Sequence, residues 1–146
     1  MLPLTNEFDV QGRGDAARDA RDRVVCMLQD WRLPLSEEIL QAVRLCTSEL
    51  VANAVEHGGG TCRVRASWTG SHLRVDVIDT SEAVPNADRP AWDAIRGRGM
   101  LLVDALATTW GWEPRGDGKT VYALFAQDAP AEPGAQPAPA PALAAG

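Results

Sequence analysis

Residues 36–60, "SEEILQAVRLCTSELVANAVEHGGG", constrain this chain more than any other stretch. Apolar residues recur there every three or four positions, the period of a helix with one buried side. Ser36 suits an N-cap, and Glu37 and Glu38 suit the positive first turn. Gly58 opens a glycine triplet that stops the helix near His57. A helix this long needs a partner along its apolar side. The next segments supply one: "TCRVRASW" (61–68) and "HLRVDVID" (72–79) alternate as strands, and "TGS" between them forms a hairpin.

The remaining elements fall around this unit. "LTNEF" (4–8) reads as a short first strand. From Asp15, Ala17, Ala20, Val24, Met27 or Leu28, and Trp31 fall at helical spacing, and Pro34 closes the link to the long helix. Residues 80–98 are polar with two prolines and read as a long loop. "GRGMLLVDALATT" (97–109) predicts a third helix opened by two glycines. "WGWEP" (110–114) and "KTVYALF" (119–125) predict a closing hairpin around Asp117-Gly118. This order predicts an α+β fold, a two-layer sandwich with a mixed sheet and helices on one face.

Bulk properties narrow the function classes. A net charge of −6 argues against a nucleic-acid binder, which carries a basic field. No apolar run reaches the ~20 residues that span a bilayer, and no signal peptide opens the chain, so no membrane association and a cytoplasmic location are expected. Cys26, Cys46 and Cys62 are odd in number and widely spaced, which suggests no disulfide framework. A metal site would need Cys46, Cys62, His57 and His72 to converge, and none forms a CxxC or HxxxH pair; buried thiols are the expectation. From Asp128 onward the chain is mostly Ala and Pro without period. Residues 1–127 are therefore read as the folded domain and 128–146 as a disordered tail.

Three features carry candidate chemistry. At about 100° per residue, Ile39, Leu40, Val43, Cys46, Thr47 and Leu50 share one side of the long helix. Glu37, Glu38, Arg44 and Ser48 lie across from them. Glu49, Asn53 and His57 climb a single stripe that drifts over the edge of the buried side. The stripe is either a solvated helix end or the polar wall of a site, and the wheel leaves both open. In the strand 72–79, Asp79 shares a face with Leu73, Val75 and Val77. It either accepts an amino-group hydrogen bond in a dry pocket or turns back to cap the loop. Gly97-Arg98-Gly99 precedes a helix, where exposed amides suit phosphate. "GDGKT" (116–120) is no P-loop: Glu113 stands where the first glycine is required, and the residues that follow alternate as a strand.

The order helix E-x-x-x-N-x-x-x-H-G, strand-end Asp79, polar loop, Gly97-x-Gly99 helix and closing hairpin resembles the GHKL ATPase superfamily, which includes gyrase and the histidine kinases. Within it, "ELVANAVEHG" resembles the helix box of bacterial anti-sigma-factor serine/threonine kinases. "GRGMLLVDALATTWGW" and "GDGKTVYALF" resemble stand-alone regulatory relatives of that group. The resemblance runs from about Ala16 to Phe125.

It implies ATP and Mg²⁺ as cofactors, with Asn53 the metal ligand and Glu49 the general base toward a serine hydroxyl or water. It implies nucleotide contacts from Asn53, His57, Asp79, Gly97, Arg98, Gly99, Met100 and Thr120. Asp79 would take the adenine amino group and Thr120 would support it; Arg89, Arg96 and Arg98 of a lid over 80–98 could face phosphate. The family's D-x-G-x-G is altered, with Ser81 and Ala83 in place of both glycines. The implied function is an anti-sigma-type serine/threonine protein kinase that binds a sigma factor or phosphorylates a small antagonist protein, and a homodimer is open. The alternative is an ATP-gated binding module with little or no phosphotransfer. The composition of residues 128–146 buries too little apolar surface to offset the entropy of ordering them. Truncation after Gln127 is therefore expected to leave the melting temperature and nucleotide affinity nearly unchanged in a thermal-shift titration; a loss of several degrees would show that the tail docks.

Overall fold

The structure is a computed structural model that describes residues 3–57, 60–79, 100–115 and 118–126. The side chains of His57 and Arg115 fall outside that description, as do the expected loop 80–98, the Gly58 helix stop and the tail. The element order is β1 (Leu4–Gln11), α1 (Ala16–Asp30), α2 (Glu37–His57), β2 (Thr61–Trp68), β3 (His72–Asp79), α3 (Met100–Leu106), β4 (Thr109–Arg115) and β5 (Gly118–Ala126). Strand β1 runs three residues beyond the expected "LTNEF", because Asp9, Val10 and Gln11 keep pairing with Arg63, Cys62 and Thr61.

The five strands lie in the order β1-β2-β3-β5-β4. Every pairing among them is antiparallel, which corrects the expected mixed sheet. The reason is topological. Strand β4 runs in the direction of β3, as a helical crossover would leave it, but β5 folds back between the two and separates them. The α+β sandwich itself stands, with helices on one face.

Burial follows the sequence pattern. Val43, Cys46, Thr47, Leu50, Val51 and Ala54 of α2 are buried against Val64, Val75, Val77, Val121 and Phe125 of the sheet, and Ala20, Val24 and Leu28 of α1 complete the layer. Ser36 caps α2: its Oγ accepts the Ile39 N–H at 3.1 Å. The opposite sheet face is charged. Arg65 pairs with Glu7 at 3.1 Å, and Arg74 bonds Asp76 at 2.8 Å and Glu113 at 3.0 Å. The Arg74 guanidinium also lies 4.2 Å from the Tyr122 ring centre. Burial pushes the Asp76 carboxyl up from its usual value, and Arg74 pulls against that shift.

Helix α1 ends in a Schellman turn. The Arg32 N–H reaches the Gln29 carbonyl at 3.0 Å and the Leu33 N–H reaches the Leu28 carbonyl at 3.5 Å. This places exposed Arg32 at φ +54°, a conformation that costs a residue bearing a Cβ about 1 kcal/mol. Part of that cost is offset because arginine has less backbone freedom than glycine when unfolded. Arg32→Gly is expected to stabilise the domain by about 0.5–1 kcal/mol in urea denaturation; a destabilised variant would mean that the arginine side chain contributes more than the backbone costs.

Candidate nucleotide site

The middle of the stripe on α2 is withdrawn from water. Leu50 and Asn53 are buried, at 2 % and 6 % exposure, and Glu49 is half-buried one turn before Asn53. The Asn53 amide nitrogen donates to the Met100 sulfur at 3.6 Å, joining α2 to the start of α3. A thioether is a weak acceptor, so the carbonyl end of the same amide remains the stronger group. The Glu49 carboxylate lies close enough to Cys46 to add to the effect of burial, which pushes that thiol up to about 12.

Asp79 closes β3 with its side chain on the helix-facing side and is 9 % exposed. Its charge is felt at Cys62, its cross-strand partner on β2. Burial, then the carboxylates of Asp79 and Asp9, push the Cys62 thiol up to about 12. Cys46 and Cys62 are thus inert buried thiols, and no cluster of His, Cys, Asp and Glu suited to a metal occurs among the described residues. Only Cys26 of the three is exposed.

Between α2 and the sheet, Leu50, Asn53, Ala54, Val77, Asp79, Lys119 and Val121 line a cavity of about 10 Å³. That is the space of roughly one water molecule. One residue there was not anticipated. Lys119 pairs with Asp79 in the β3–β5 register and points to the same side. Its Nζ lies 3.4 Å from the Asp79 Oδ2, with both side chains under 10 % exposed.

The same register moves Thr120 away. It pairs with Ile78, so its side chain lies on the opposite face from Asp79. There the Oγ1 is buried without a hydrogen-bond partner. The expected support of Asp79 by Thr120 is therefore corrected: the β5 residue beside the carboxylate is Lys119. The reason is parity, since a shift of one residue along a strand exchanges its faces. Alternation in "KTVYALF" could have shown that Lys119 shares the face of Val121, but not which strand it meets.

Asn53, Asp79 and Met100 thus come together at one end of α2, with Glu49 a turn away. Gly97, Arg98 and Gly99, with Arg89 and Arg96, lie outside the described residues, as do Ser81 and Ala83; so does the His57 side chain. The donor chemistry suits Mg²⁺. The Asn53 side-chain oxygen is a hard donor, and this ion takes few ligands from protein, completing its shell with phosphate and water.

Comparison with known proteins agrees with this architecture. The histidine kinase-like ATPase domain family matches residues 11–125. An uncharacterised protein of Streptomyces coelicolor is 35% identical over 105 residues, covering 68% of this chain and 98% of that one. A crystal structure of the RsbU and RsbW domains of Rv1364c from Mycobacterium tuberculosis superposes with a TM-score of 0.65 at 23% identity. It covers 88% of this chain, which spans 34% of that longer one, and at this identity it speaks for the fold alone. The family match begins at the last residue of β1 and ends at Phe125 on β5, so it takes in all three helices, all but the last pair of the β3–β5 pairing and the cavity under α2: this chain belongs to the histidine kinase-like ATPase domain family.

Proposed function

We propose that this domain binds ATP with Mg²⁺ between α2 and the sheet and acts as an anti-sigma-type serine/threonine protein kinase. The observation that carries the reading is the convergence of buried Asn53 and buried Asp79 on one cavity under α2. Within the chain these groups are engaged by the Met100 sulfur and the Lys119 ammonium, and a nucleotide with its metal would offer both of them strong polar partners. Asp79 would accept the exocyclic amino group of adenine. Asn53 would hold Mg²⁺, and Gly97, Gly99, Arg98, His57 and Met100 would complete the nucleotide contacts. The ion, when bound, would neutralise charge on the phosphates. Glu49, half-buried at the mouth of the stripe, would take the proton of an attacking serine hydroxyl as the γ-phosphoryl group passes to that oxygen and ADP departs.

The partner in this reading is a small antagonist protein or a sigma factor, and the location is the cytoplasm. No described helix is long and apolar enough to cross a membrane. The resemblance of "ELVANAVEHG" to the helix box of the anti-sigma-factor kinases supports a regulatory setting. A second reading, an ATP-gated binding module with little phosphotransfer, is favoured by two observations. Lys119 already sits on Asp79, and Ser81 and Ala83 stand where the superfamily carries glycines. Phosphate transfer onto a co-purified partner separates the two readings.

Asp79→Asn is expected to weaken ATP binding at least tenfold, on the order of 1.5–3 kcal/mol for a charge-assisted bond to the adenine edge. GTP should compete poorly, because its 6-oxo group would face the same carboxylate; equal affinity for the two in calorimetry would remove Asp79 from the adenine pocket.

Glu49→Gln should keep ATP–Mg²⁺ affinity within a fewfold while phosphate transfer falls by a factor of ~10²–10⁴. Asn53→Ala should abolish most of the Mg²⁺ dependence of binding, since it deletes one oxygen from an ion with strict octahedral demands. ATP titrations with and without Mg²⁺ across wild type and both variants measure this. Wild-type behaviour in both would reduce the stripe to an ordinary amphipathic edge.

A further inference from the structure

Strand β3 carries two buried aspartates, three residues apart and hence on opposite faces, each with a cation. Asp76 is bonded at 2.8 Å by Arg74, whose guanidinium is half-exposed and also held by Glu113 and the Tyr122 ring. That pair is braced on every side. Asp79 and Lys119 make a longer contact. Their separation is 3.4 Å, the long end of a hydrogen bond, and both groups are withdrawn from water. Lysine is among the residue types least often buried, and Lys119 is the only lysine in a chain otherwise supplied with arginine. An ammonium on four rotatable bonds is held in a low-dielectric site by a loose contact and loses much of its hydration there.

We propose that Lys119 is an affinity-setting residue of the nucleotide site, which it tunes by occupying the carboxylate that adenine needs. The inference rests on the ATP reading above. An ionised carboxylate accepts more than one hydrogen bond, so the competition is for room: Lys119 lines the space beside Asp79 that an adenine ring would have to enter. The cavity that Lys119 helps to line is about 10 Å³, too small for a purine ring. Binding therefore exchanges partners: the ammonium leaves Asp79 and returns to water, and the adenine amino group takes its place. No bond other than these hydrogen bonds is made or broken. Lys119 is the second residue of β5, beside Gly118 at the hairpin end, where its stem can turn outward. Apparent affinity then falls by the fraction of molecules in which Asp79 is free of the lysine.

The test uses the full chain. Calorimetric titration of ATP with Mg²⁺ is expected to show Lys119→Thr binding at least ~5-fold tighter than wild type, as expected if the lysine leaves the carboxylate in no more than about a fifth of molecules. Threonine also suits a strand. In parallel, amine acetylation read by mass spectrometry reports on Lys119 alone, with the chain's terminal amine as internal reference. Wild-type Lys119 is expected to react slowly without nucleotide and several-fold faster at saturating ATP. Equal or weaker binding by Lys119→Thr, with wild type still binding ATP, overturns the inference and leaves the ATP reading intact. An acetylation rate that saturating ATP does not raise overturns it in the same way, and this arm needs no variant to fold. Absence of ATP binding by both proteins overturns the inference together with the ATP reading.

Discussion

The pairing of β3 with β5 is the constraint on which the rest of this molecule depends. It aligns Val77 with Val121, Val75 with Ala123 and Leu73 with Phe125 on the helix-facing side, building the apolar floor under α2. It also expels β4 to the sheet edge, which turns the expected mixed sheet into an antiparallel one. And it sets Lys119 beside Asp79 at the end of that floor. A register shift of one residue would exchange Lys119 for Thr120 and turn the apolar row outward, so hydrophobic burial locks the geometry of the polar pair.

That pair sits where the fold is least able to accommodate it. Elsewhere the helix–sheet interface is filled mainly by buried Val, Leu, Ala and Phe, with Thr47 among them. At one end Asn53, Asp79 and Lys119 are buried together. A larger core would cost less and hold together better, since replacing a buried ion pair by apolar residues is often neutral or stabilising. Local conflict of this kind within an otherwise consistent sequence is a feature that functional sites share. The charged ladder on the opposite face shows the contrast. Arg65 with Glu7 and Arg63 with Asp9 are solvent-washed cross-strand pairs, worth little each, that keep that face polar.

Family membership and geometry bear on different questions. The match over residues 11–125 assigns the domain to the histidine kinase-like ATPases. The geometry shows what this member has done with the common plan: a thioether holds the Asn53 amide and a lysine holds the strand-end aspartate. Both contacts are weak ones made to groups that a nucleotide and its metal would hold more strongly.

Periodicity alone located α1, α2 and the β2–β3 hairpin almost to the residue, because each has a clean apolar face and a strong stop signal in Ser36, the glycine triplet or "TGS". It also ordered Glu49, Asn53 and Asp79 along the chain and put Asp79 on the apolar side of its strand. What it left open was whether the α2 stripe is wet or dry, since a helical wheel records direction and not what covers it. Burial of Asn53 required the sheet and α3 to close over it. Nor does alternation in "KTVYALF" say which strand β5 joins; the family resemblance implies Thr120 beside Asp79, and the register sets Lys119 there instead. Strand neighbours are chosen by non-local pairing, which no local pattern encodes. The elements and the candidate residues were therefore determined by the sequence itself, whereas the company each residue keeps was decided only when β5 inserted between β3 and β4.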